Sequence, residues 1–117
     1  MSDADRVAAR RAEISEMVDS LRTRLAGIVE SSAWTTHDDE HDPEGVTTAF
    51  ERAQVAGLLA TASQELAALD AAAARIADGT YGTCRECGGP IAPERLEALP
   101  ATTTCIRCAN RKPRRTP

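Results

Sequence analysis

A chain of 117 residues with formal net charge -4 and three aromatic side chains (Trp34, Phe50 and Tyr81) excludes a large multidomain core and a uniformly basic polyanion binder. The charge is segregated, because residues 33–46 hold five acids and no Lys or Arg, whereas residues 109–117 hold four bases and no acid. No stretch approaches the ~20 apolar residues of a membrane span and the N-terminus shows no apolar signal core, so a cytoplasmic protein is expected.

From Ser2 the apolar residues Val7, Ile14, Val18, Leu21, Leu25 and Ile28 follow a heptad alternation, with Arg11 the one polar residue on that seam. Ser2 is placed to cap this helix, and Asp3 and Asp5 suit its positive end. Asp42 followed by Pro43 reads as the cap and first position of a second helix, and Gly79 after Asp78 reads as its stop. Between them Val55, Leu59, Ala62, Leu66, Leu69, Ala73 and Ile76 keep a matching seam. Helices of this length are on the order of 45–55 Å long and bury their seams most economically against each other. The expected fold is therefore all-α, a long antiparallel coiled-coil hairpin. An ordinary bundle or a dimeric coiled coil is the alternative that the pattern leaves open.

The connection places Asp38, Asp39, Glu40, Asp42 and Glu44 together at the hairpin tip. Like charges this close repel unless a cation or partner relieves them; a solvated polar loop is the plain alternative. His37 and His41 have the i, i+4 spacing of a helical metal pair, but Pro43 and the polar surroundings point to a turn.

Cys84-x2-Cys87 and Cys105-x2-Cys108, 17 residues apart, have the spacing of a structural zinc site in a reducing compartment. Four thiolates fill a tetrahedral shell and leave no position for a catalytic water, so one structural Zn2+ is expected and no enzyme activity. Gly88 and Gly89 suit the tight turn after the first pair. "PERLEALP" reads as a short helix bounded by Pro93 and Pro100, with Leu96 and Leu99 available for packing. A zinc ribbon serves nucleic-acid readers and protein-docking modules alike. Arg111, Lys112, Arg114 and Arg115 form the only concentrated basic footprint, either a phosphate-binding arm or a solubilising tail.

The block "DGTYGTCRECGGPIAPERLEALPATTTCIRC", preceded by a long hairpin, resembles the DksA/TraR zinc-finger family of bacterial transcription regulators. The matching residues are Gly79, Tyr81 and Gly82 leading into Cys84, then Cys87 and Gly88, Ile91, Arg95 to Ala98, Pro100 and the second cysteine pair. The resemblance implies a regulator that binds RNA polymerase without needing DNA, its coiled coil entering the secondary channel and its acidic tip approaching the catalytic magnesium. Three regions are expected: a coiled-coil hairpin over 1–79 with its acidic tip at about 33–46, a zinc finger of the DksA/TraR type over 80–110 and a basic, disordered tail over 111–117. The family's tip motif D-x-x-D-x-A is absent; without gaps from Cys84 its fixed positions fall on His41, Glu44 and Val46. The basic residues that hold guanosine tetraphosphate in responsive members fall on Ala68, Leu99 and Ala109, so no such site is expected. A monomer without membrane or sequence-specific DNA binding completes the expectation. The competing readings are a zinc-ribbon nucleic-acid binder that uses the tail and a coiled-coil stress or interaction protein.

Overall fold

The computed structural model describes residues 1–33 and 43–111, with the backbone alone at 31–33 and 43–44. Helix α1 spans Asp3–Ala33 and α2 spans Pro43–Asp78; two short helices follow, α3 (Pro93–Ala98) and α4 (Ile106–Ala109). An isolated antiparallel bridge joins Thr83 and Pro90, and no strand occurs among the described residues. The all-α expectation holds.

The helix ends show why the chain starts and stops where it does. The Ser2 hydroxyl accepts the Asp5 N–H at 3.1 Å, and the Asp5 carboxylate accepts the Ser2 N–H at 3.2 Å. This is a reciprocal capping box with Asp in place of the usual Glu or Gln. The bond from the Ser2 N–H holds the Asp5 carboxyl below its ordinary pKa. At the far end of α2, Thr80 donates its N–H to Arg75 O at 2.9 Å and Gly79 donates to Ile76 O at 3.4 Å. Gly79 takes a φ of 80°, which completes a Schellman stop that a side chain would strain. α2 begins at Pro43, as its sequence suggests, while Asp42 lies outside the described residues.

The chain packs as two compact units, Glu13–Leu66 and a second formed by Met1–Ala12 with the chain from Ala67 onward. In the first, Ile14, Val18, Val55 and Ala62 are buried, and Leu21, Leu25, Ile28, Leu59 and Leu66 are half-buried. The Arg24 guanidinium lies 3.9 Å from the Glu51 carboxylate, joining the later part of α1 to the early part of α2, as antiparallel pairing requires. Fully burying an aliphatic side chain contributes about 1.5–3 kcal/mol, whereas Ala62 removes little surface. The aliphatic positions therefore hold this pair together.

In the second unit Val7, Leu69 and Ala72 are buried and Ile76 is half-buried. Arg11 does not interrupt the seam: it is exposed and pairs with Asp70 on the opposite helix. Ala72 fills the position expected of Ala73, which is exposed. Residues 71–74 are all alanine, so the sequence there carries no information about helical phase.

Candidate metal centre

The region after Gly79 folds around a small apolar cluster of Cys84, Ile91 and Leu96, with Tyr81, Cys105 and Cys108 packed against it. Leu96 comes from α3, which Pro93 starts; Leu99, the other expected packing residue, is half-exposed at the helix end. Three cross-links tie the lobe together. The Tyr81 hydroxyl donates to Pro100 O at 2.9 Å, Arg95 Nε donates to Thr104 O at 2.8 Å, and the Arg85 N–H donates to Thr103 O at 2.9 Å. Burial, more than any neighbouring charge, pushes the Tyr81 phenol above its ordinary pKa, so it stays a donor.

Each cysteine pair sits on its own turn. In the first, Cys84 N donates to Gly89 O at 2.8 Å and Gly88 N donates to Cys84 O at 2.9 Å, with Gly88 at a φ of 73°. The Gly89 N–H points at Cys87 Sγ at 3.4 Å. In the second, Cys105 precedes α4 and Cys108 lies within it, and Ala109 N closes the turn on Cys105 O at 2.9 Å. A helical turn aims the second pair without needing glycine.

The four Sγ atoms lie within 4.8 Å of one another, and Cys87 and Cys105 are 3.8 Å apart. A tetrahedron with Zn–S bonds of about 2.3 Å has an edge of about 3.8 Å, whereas a disulfide needs about 2.05 Å between sulfurs. All four cysteines are free. Backbone N–H groups of Cys105 and Cys87 draw the Cys84 thiol down to about 6. The N–H of Cys108 lowers Cys105, and a hydrogen bond with Cys105 pushes the Cys108 thiol up to about 12. The lobe thus favours sulfur anions at some positions and shares protons at others. A bound zinc must displace the remaining protons, so metal affinity rises with pH.

Residues 79–114 match the family model of the prokaryotic dksA/traR C4-type zinc finger. That stretch carries a zinc finger of the DksA/TraR type. Over 47 residues it is 45% identical to the RNA polymerase-binding transcription factor DksA of Caulobacter vibrioides, covering 40% of this chain and 33% of that protein. It is 46% identical over 41 residues to an uncharacterized protein of Aquifex aeolicus, 35% of this chain and 28% of the other. The chain thus spans about a third of the length of the curated relatives it matches. The transcription factor DksA2 from Pseudomonas aeruginosa shares the fold, with a TM-score of 0.75 over 92% of this chain and 77% of that one at 24% identity. The C4 family chemistry and the convergent thiols together identify one structural Zn2+, held by Cys84, Cys87, Cys105 and Cys108.

Other residues singled out in the sequence fall elsewhere. Asp38, Asp39, Glu40 and Asp42, with His37 and His41, lie outside the described residues, and Glu44 is in the first turn of α2. Lys112, Arg114 and Arg115 also lie outside, while Arg111 is exposed after α4 and donates its N–H to Cys108 O at 3.2 Å. Ala68 is half-buried, Leu99 and Ala109 are exposed, and none of the three offers a cation to a phosphate. The sequence carries Tyr81 and Arg95 as signature residues without a reason for them. Their reason is to satisfy carbonyls of the loop before the second cysteine pair.

Proposed function

We propose that this chain is a non-enzymatic, cytoplasmic transcription regulator that binds RNA polymerase directly and inserts the acidic end of its helix pair into the secondary channel. The observation that carries the reading is the match of residues 79–114 to the dksA/traR zinc finger, joined to 45% identity with a protein named for polymerase binding. Among the described residues no helix is long and apolar enough to cross a membrane.

In this reading zinc is structural and the working chemistry sits on carboxylates. Asp38, Asp39, Glu40, Asp42 and Glu44 are hard oxygen ligands, and such groups beside a magnesium ion compete for its coordination positions or reorient what it holds. Without the D-x-x-D-x-A pattern the chain keeps channel binding but acts on the catalytic centre through a different arrangement of carboxylates. The protein works as a monomer, reads no DNA sequence and does not use Ala68, Leu99 or Ala109 to hold guanosine tetraphosphate.

Replacing the polymerase's catalytic magnesium by ferrous iron generates hydroxyl radicals at that point. Cleavage of this protein confined to residues 38–46 is the expected result. Absence of cleavage in a complex whose formation is verified separately would overturn channel insertion, and absence of binding to core polymerase would overturn the reading altogether. Salt-sensitive nucleic-acid binding lost on removing residues 111–117 would favour the tail-based alternative instead.

A further inference from the structure

Within the unit Glu13–Leu66, α2 carries apolar residues on two opposite sides. The seam through Val55, Leu59, Ala62 and Leu66 is the covered one. Half a turn away, Val46, Phe50, Ala53, Gly57, Ala60 and Gln64 repeat the same 4-3 spacing. This second seam is exposed along its length, with Val46 at 57% and Phe50 at 72%. From residue 46 to residue 64 only Glu51 and Arg52 are charged, and both lie off it. A helix that is apolar on more than its core side belongs in a larger interior, and contiguous exposed apolar surface marks an interaction site. Gly57 is an independent sign. Glycine weakens a helix interior, yet a Cβ at Gly57 would meet nothing within 4 Å and its φ is not positive, so nothing inside this chain asks for it. What a missing side chain offers there is the close approach of another backbone.

The order of the six residues says what fits them. Antiparallel pairing of two copies of α2, about a two-fold axis level with Val55, sets Phe50 of each copy against Ala60 of the other, Ala53 against Gly57 and Val46 against Gln64. The one bulky ring thus meets a small residue on both sides of the axis, and the small positions let the helix axes approach to about 8 Å. A two-fold pair requires this self-complementarity, whereas a foreign surface does not. The area is modest. Six positions along about 27 Å of helix offer roughly 400 Å2 per copy, half of the ~800 Å2 per partner of a standard interface, so the pair is weak and reversible. We propose that α2 carries a self-association face, through Val46, Phe50, Ala53, Gly57, Ala60 and Gln64, on which a second copy of the chain docks antiparallel. The pairing does not rest on the polymerase reading. Where the chain works in a channel it works as the monomer, because a second copy on Val46 and Phe50 widens the end that inserts.

The test is sedimentation equilibrium of the zinc-loaded full chain up to a concentration of about 1 mM, with amide resonances followed over the same range. A monomer–dimer equilibrium with a Kd on the order of 100 μM is expected, its concentration-dependent shifts centred on the second seam. Phe50→Glu buries a charge in the pair and should weaken it at least tenfold with zinc content and helicity unchanged, since the side chain is exposed in the monomer. Gly57→Leu should raise helicity but weaken pairing about tenfold; a role confined to the monomer would leave the Kd alone. Gln64→Leu completes the apolar seam opposite Val46 and should tighten the pair about fivefold. A chain that stays monomeric at 1 mM, or a dimer whose Kd is the same in Phe50→Glu and Gln64→Leu, would overturn the proposal. So would a monomeric chain whose binding to core polymerase is lost in Phe50→Glu, which would assign the face to the polymerase instead.

Discussion

Among the described residues, the cysteine lobe buries Cys84, Ile91 and Leu96, whereas the two long helices bury Val7, Ile14, Val18, Val55, Ala62, Leu69 and Ala72. The lobe compensates for its small core with a four-thiol cluster, glycines at positive φ and side-chain bonds to loop carbonyls. The helices use repetition, so that no one residue decides the outcome and burial adds along a seam. A lobe this small lacks the apolar area to order itself, and metal binding supplies what burial does not. The two regions should therefore fail in different ways.

Removing one thiol has the largest expected effect. Apparent metal-binding energies of structural zinc sites reach roughly 10–16 kcal/mol, and for such lobes that energy is folding energy. Cys84→Ser is expected to release zinc, abolish the dispersed amide resonances of residues 80–110 and leave most of the helical circular dichroism. A variant that retained a full equivalent of zinc would refute the four-thiolate site. Ile14→Ala should do the reverse. Ile14 is 1% exposed, and truncating a buried Ile of this kind costs about 2–4 kcal/mol. Its thermal midpoint should fall while zinc stoichiometry stays at one; zinc lost in step with helicity would mean the two regions behave as one cooperative unit.

The same contrast decides how much of the molecule is legible in its amino-acid sequence. Cysteine spacing needs no phase, and the capping and stop residues of the helices are local, so Ser2, Pro43 and Gly79 carry their signals in a few residues. Seam positions with large side chains are equally legible: Ile14, Val18, Val55 and Leu69 are buried where the period puts them. Legibility ends where residues stop differing from one another, as in the alanine run where Ala72 and not Ala73 is buried. It ends again where a role depends on distant backbone. Tyr81 reaches a carbonyl 19 residues away, and Leu99 is half-exposed because α3 closes at Ala98.

The smallest predicted effects give the finest comparison, because they set one hydroxyl of the lobe against a whole ion pair of the helices. Tyr81→Phe removes only the oxygen that donates to Pro100 O, leaves the ring in the cluster around Cys84 and strands a part-buried acceptor. Such a loss costs about 1 kcal/mol. Arg11 and Asp70 bring opposite formal charges together, but both side chains are about half exposed, at 49% and 53%. Solvent screening and the entropy of holding long side chains in place reduce an exposed pair of this kind to about 0.2–1 kcal/mol. A double-mutant cycle with Arg11→Ala and Asp70→Ala, set beside Tyr81→Phe in denaturant titrations of the zinc-loaded protein, should rank the single hydroxyl above the pair. Raising the salt concentration should shrink the pair's coupling and leave the Tyr81 effect unchanged, because only the first is an interaction between exposed charges. The opposite ranking would mean that the lobe tolerates a missing hydrogen bond once zinc is in place, so that the metal alone, and not the side-chain bonds around it, fixes the loop before the second cysteine pair.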